Sequence, residues 1–210
     1  MLRIFDLDGV ILNSSWEFLF DAYKALLAHC GKRWQDFFYD LESFKKWWNP
    51  DWKEGNKSLG IKESEEGHQV FYKAYNPCVY FLPFMEEILK QLYQKHLLAI
   101  FTNRHRHVTR ELLDSMEKFF EIIVGIEDVT RIKPDPEGIE IILNHLGVSQ
   151  RDQVVMIGDT LEDLMAGKRA GIKTAAVIWE YGLGDDEKFS ILGFKPDYII
   201  RKSEDFLLLL

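Results

Sequence analysis

Six short apolar runs punctuate the chain, at residues 2–5, 97–101, 122–124, 154–157, 174–178 and 198–200, and most are nearly unbroken. A strand with one wet face alternates apolar and polar side chains. A strand covered on both faces has no polar side to show, and that is the habit of parallel sheets. Helical spacing fills the intervals. Phe84, Met85, Ile88, Leu89 and Leu92 share a face behind Pro83, a residue suited to a first helical turn. Leu112, Leu113 and Met116 continue in helical spacing, and Ile139, Ile142, Leu143 and Leu146 run up to Gly147, a helix-ending residue. Leu161, Leu164 and Met165 precede Ala170 and Gly171. Strands alternating with helices predict a doubly wound α/β fold with a Rossmann-like parallel sheet.

Residues 14–80 break this alternation, with helical periods and no convincing strand. Phe18, Ala22, Ala25, Leu26 and His29 share one face; Trp34, Phe37, Phe38, Leu41, Phe44, Trp47 and Trp48 form a second stripe; Val70, Phe71, Ala74 and Tyr75 form a third. Asn49-Pro50-Asp51, Gly55-Asn56 and Gly60 punctuate them. The expected organisation is an α/β core made of residues 1–13 and 81–210, with a helical domain at 14–80 inserted after the first strand. Trp16, Trp34, Trp47, Trp48 and Trp52 fall in the insert and are read as filling the centre of a small bundle, which needs bulky groups.

Charge narrows the partners. With 26 Lys and Arg against 34 Asp and Glu, the net charge is −8. The insert is close to neutral, so the acidity sits in the α/β part, where a cation site would need it. An acidic chain is a poor general binder of nucleic acid or of anionic lipid. No stretch approaches the roughly 18 apolar residues of a membrane span. Asp6 arrives too early for a signal-peptide layout. Cys30 and Cys78 make neither a disulfide framework nor a metal spacing. The expectation is a cytoplasmic protein, monomer or homodimer, with no nucleic-acid or membrane partner.

Ligands of an open parallel sheet bind at the carboxyl ends of its strands. Those ends carry Asp6-Leu7-Asp8-Gly9, Thr102-Asn103-Arg104, Lys133 within Ile132-Lys133-Pro134, and Asp159 and Asp163 within Gly158-Asp159-Thr160-Leu161-Glu162-Asp163. Alone, each is an ordinary cap or turn residue. Together, in order on one β–α frame, they bring carboxylates, a hydroxyl and an ammonium to one edge. Arg104, His105, Arg106 and His107 add a basic cluster at a helix start. Its two histidines, two residues apart, would not share a helix face, which argues against a metal site there.

The ordered set, from Asp6-x-Asp8-Gly9-Val10 to Asp163, resembles the haloacid dehalogenase superfamily over nearly the whole chain, in the phosphoglycolate-phosphatase-like branch with a helical cap. Two positions depart from that branch: Asn13 stands where an acidic residue is usual, and Val10 where many phosphatases have Thr. The resemblance implies sheet order 3-2-1-4-5, a magnesium ion and an aspartyl-phosphate intermediate. It implies a small phosphorylated metabolite as substrate. Asp6 would attack phosphorus, and Asp8 would act as general acid and then base. Thr102 and Lys133 would bind the phosphoryl group. Asp6, the Asp8 backbone carbonyl and Asp159 would hold the metal, with Asp163 supporting it. Gly9 would allow the sharp turn, and Gly9, Asn103 and Arg104 would line the substrate site. The alternatives are a sugar-phosphate mutase of the same superfamily and, from another class, a phosphoreceiver-like signalling protein.

Overall fold

The computed structural model describes residues 1–48, 52–184 and 193–209. By internal packing the chain divides into two compact units, Met1–Asn13 with Phe81–Leu210, and Ser14–Tyr80.

The first unit is built on a parallel sheet of six strands: β1 (Leu2–Phe5), β2 (Leu97–Phe101), β3 (Ile122–Val124), β4 (Val154–Gly158), β5 (Lys173–Val177) and β6 (Tyr198–Ile200). Their order is β3-β2-β1-β4-β5-β6. Five of the strands follow the order 3-2-1-4-5 that the resemblance implies, and the sixth apolar run, 198–200, pairs in parallel with the outer edge of β5. β5 lies one residue earlier than its apolar run suggested, yet the Ile178 N–H still donates to the Ile200 carbonyl at 2.8 Å.

Both faces of the sheet are covered, as unbroken apolar strands require. On one face Leu2, Ile4, Phe101, Val154 and Met156 pack with Ile139, Ile142 and Ala166. The last three come from two helices, Glu137–Leu146 and Leu161–Arg169. On the other face Phe5 meets Phe120 edge-on at 6.2 Å and stacks with Phe206 at 6.5 Å. The Arg3 side chain is buried, and its guanidinium donates to the Leu209 carbonyl at 2.6 and 2.9 Å, so its charge is satisfied by backbone.

The helix after β2 (Arg106–Leu113) is shorter than its periodicity predicts. It stops where Asp114 adopts φ 47°, and Met116 falls in a 3-10 segment, Asp114–Phe119. Gly147 ends Glu137–Leu146 in the left-handed conformation, as expected of a glycine there.

The second unit is helical: Trp16–His29, Leu41–Trp47, Trp52–Ser58 and Glu65–Tyr75. Its first helix buries Leu19, Phe20, Ala22, Tyr23, Leu26 and Leu27, a face rotated away from the expected one, and His29 is exposed. The second stripe does not form one helix. Trp34–Asp36 is a 3-10 turn, and Asp40 starts a new helix by accepting the Ser43 N–H at 2.9 Å. Phe44 is fully buried, stacked on Phe20 at 4.9 Å and ringed by Tyr23, Phe38, Trp47 and Trp48. Ser14 and Tyr75 join the ends of the unit through a 2.5 Å hydroxyl contact. The Asn49-Pro50-Asp51 punctuation lies outside the described residues. Among the described residues, no helix is long and apolar enough to cross a membrane.

Candidate active site

The sheet order reverses at β1, between β2 and β4, so the chain leaves the carboxyl ends of these strands in diverging directions and opens a crevice. Asp6 is the first residue beyond β1, and its N–H still donates to the Ile157 carbonyl at 2.8 Å, extending the ladder. Asp159 directly follows β4. Asp163 lies on the first turn of the next helix and is wholly buried; its Oδ2 accepts the Thr160 hydroxyl at 2.6 Å and N–H at 3.0 Å. Gly158 makes room for it, since a Cβ there would stand 2.2 Å from the Asp163 Cβ.

Lys133 reaches this group from the segment after β3. Its buried ammonium donates to Asp6 Oδ1 at 2.7 Å and to Asp163 Oδ1 at 2.6 Å. Burial works against its charge, yet Asp163 and Asp6 outweigh that and hold the ammonium well above the usual lysine range. Two carboxylates fix the side chain.

Ligand oxygens of Asp6, Asp159 and Asp163 lie within 4.8 Å of one another. Burial, then the charge of Asp163, pushes Asp6 up to about 7, against the pull of Lys133. Burial and the charges of Asp6 and Asp163 raise Asp159 well above the carboxylate range. Three buried carboxylates thus face one ammonium. Asp159 Oδ2 accepts the Leu183 N–H at 2.6 Å, while the buried Oδ1 has no hydrogen-bond partner among the described residues. An orphaned carboxylate oxygen among hard oxygen donors and surplus negative charge fits a divalent cation such as magnesium.

The other expected residues gather at the same edge, in part with different partners. Arg104 is buried and grips Asp8, with Nη2 to Oδ1 at 2.6 Å and Nε to Oδ2 at 3.1 Å. Thr102 Oγ1 accepts the Arg104 N–H at 3.1 Å, a bond that leaves the hydroxyl hydrogen available for donation. Asn103 Oδ1 accepts the Lys133 N–H at 3.3 Å and so ties two loops together. Gly9 has φ +74°, and a Cβ on it would stand 2.1 Å from Asp159 Oδ2. It turns the chain and also lets it pass Asp159 closely.

Three contributors were missed from sequence. The Trp179 indole donates to the Gly9 carbonyl at 2.7 Å, the Leu183 amide holds Asp159, and Gly182 passes within Cβ distance of Gly9 and Asp159. Trp179 carried a usable signal, as the one tryptophan outside the insert, directly after a strand run. A backbone amide carries none. The histidine expectation is corrected too. His105 is an extended N-cap residue rather than a helical one, so its ring converges with that of His107, with centroids 5.6 Å apart.

The fold is a doubly wound α/β sheet with a carboxylate-and-lysine cluster at its strand edge. The chain matches the sequence profile of haloacid dehalogenase-like hydrolases over residues 3–177, and it belongs to that family. It is 29% identical to the pyrophosphatase PpaX of Listeria innocua over 97% of this chain and 93% of that protein. To PpaX of Halalkalibacterium halodurans it is 30% identical, over 97% and 94%. A haloacid dehalogenase-like family hydrolase from Streptococcus pneumoniae shares the fold, with TM-score 0.76, 21% identity, and 99% and 96% coverage.

Proposed function

We propose that this hydrolase is a magnesium-dependent phosphatase of small phosphorylated metabolites, working through an aspartyl-phosphate at Asp6. The observation that carries the reading is the pair of hydrogen bonds from the Lys133 ammonium to Asp6 and Asp163 beside the orphaned Asp159 Oδ1. The Asp6 and Asp159 carboxylates and the Asp8 backbone carbonyl would hold the cation, with Asp163 in support. Its chemistry would be to offset the repulsion between an anionic nucleophile and a phosphate dianion.

The protein's own groups do the rest. An Asp6 oxygen attacks phosphorus, and the bond from phosphorus to the leaving oxygen breaks. Asp8, carrying a proton on one oxygen and keeping Arg104 on the other, gives that proton to the leaving oxygen, so one of the two Arg104 contacts opens in this step. Now a carboxylate, Asp8 takes a proton from water as the water attacks the acyl phosphate, which releases inorganic phosphate and restores Asp6. Thr102 and Lys133 bind the phosphoryl oxygens.

Pyrophosphate heads the substrate panel because the relatives are named for it; phosphoglycolate, sugar phosphates and nucleotides complete it. The helical unit Ser14–Tyr80 is read as a specificity cap, since it is inserted in the chain just after the Asp6–Gly9 turn. A reducing compartment such as the cytoplasm suits the free thiols of Cys30 and Cys78. The test is turnover across the panel with magnesium and with chelator. Catalytic phosphate release that needs magnesium supports the reading. Transfer to a sugar hydroxyl without net release would instead make the protein a mutase, and a single phosphate retained per chain would make it a receiver.

A further inference from the structure

The side chains of His105, His107 and Glu127 converge on one exposed spot, with a ligand atom from each within 4.8 Å of the others. We propose that they form a second metal site, separate from the carboxylate cluster, that takes one borderline divalent ion of the zinc class. Two imidazoles and one carboxylate favour zinc, copper or nickel, whereas magnesium prefers oxygen alone. The chemistry of the two sites is therefore distinct.

The backbone builds the spot. His105 has φ −63° and ψ 136°, and the helix begins only at Arg106, so the rings of residues two apart lean together. Glu127 comes from the 3-10 turn after β3, Ile126–Asp128. Both its oxygens accept the Arg106 N–H, at 2.9 and 3.1 Å, which fixes the carboxylate beside the rings and leaves lone pairs for an ion. His105 Nδ1 stands 3.5 Å from Glu127 Oε2. That is long for a hydrogen bond. It is close to the spacing of two ligands on one tetrahedral ion, about 3.4 Å for metal bonds of about 2.1 Å. The nearby cations are answered: Arg106 pairs with Asp128 at 2.5 Å and Arg110 with Glu117 at 3.0 Å.

A bound ion would staple the loop after β2 to the turn after β3. That loop carries Thr102, Asn103 and Arg104, and the two segments already meet where the Ile126 N–H donates to the Arg104 carbonyl at 3.1 Å. Metal binding here is independent of the phosphatase reading.

The test is calorimetric titration of tag-free protein with zinc in excess magnesium, which competes for the carboxylate cluster. The proposal expects one zinc equivalent in the wild type, retained in Asp159→Ala, and bound at least about tenfold more weakly in His107→Ala and in His105→Ala. His107 is exposed, so its replacement leaves the fold intact. Cobalt in place of zinc should give visible absorption that disappears in the histidine variants. Zinc binding unchanged in both histidine variants, or lost in Asp159→Ala alone, would overturn the proposal.

Discussion

Arg104 holds both carboxylate oxygens of Asp8, at 2.6 and 3.1 Å, across ninety-six positions of sequence. Planar guanidinium and planar carboxylate fix each other's orientation, so the proposed acid–base group is aimed by a buried arginine. In the proposed mechanism Arg104 is thereby a positioning residue. Arg104→Ala should lower kcat on alkyl phosphates by about ten- to a hundredfold. Nitrophenyl phosphate, whose leaving group needs little protonation, should lose much less. A rise in KM alone, equal for both substrates, would show that Arg104 serves substrate binding instead.

Among the described residues, Lys133 is the one ammonium paired with the cluster of three buried carboxylates, through Asp6 and Asp163. Lys133→Met removes it and leaves their charges unbalanced. Breaking such a buried pair typically destabilises by about 3–5 kcal/mol. Thermal melts in chelator should therefore fall by many degrees, and magnesium should restore a large part of the loss. A variant that melts like the wild type in chelator would contradict this balance of charge.

The sheet was readable because its strands are apolar on both faces, and the clustering of Asp6, Asp159, Asp163 and Lys133 followed from where those strands end. What stayed hidden depends on side-chain reach and on backbone. No periodicity reveals that Arg104 turns onto Asp8, or that the Leu183 amide meets Asp159. His105 and His107 looked divergent because a helix was assumed to include both, and the helix starts between them. In the helical unit, several aromatic residues in succession fit more than one buried face, and the first helix chose the face with Leu19 and Tyr23.

Gly9 lies under Asp159 with φ +74°. Gly9→Ala meets both a strained backbone and a carboxylate oxygen 2.1 Å from the new Cβ. The expected result is a fold that survives, since Gly9 lies on a turn, with Asp159 displaced. The magnesium needed for half-maximal activity should rise at least about tenfold. An unchanged magnesium requirement would remove Gly9 from that role.

His96 is buried, its ring nitrogens have no hydrogen-bond partner among the described residues, and burial followed by the charge of Arg3 pushes it down to about 4 against a weaker opposing pull from the Leu209 backbone. Its unfolded value is about 6.5. The folded state keeps it neutral, so its contribution to stability is complete above pH 6.5 and is lost as pH falls from there towards 4. The limiting slope is about 1.4 kcal/mol per pH unit. In denaturant melts between pH 7.5 and pH 5, wild type should lose stability relative to His96→Leu as the pH drops, because only the wild type carries this penalty. Parallel curves would show that His96 protonates without strain.

In the proposed mechanism Asp6 forms the bond to phosphorus, and Asp6→Asn probes that step because it keeps the shape while removing the nucleophilic charge. Turnover of the best panel substrate in saturating magnesium should fall by several orders of magnitude, with the variant still folded by circular dichroism. Retention of more than about 10% of wild-type turnover would contradict the account.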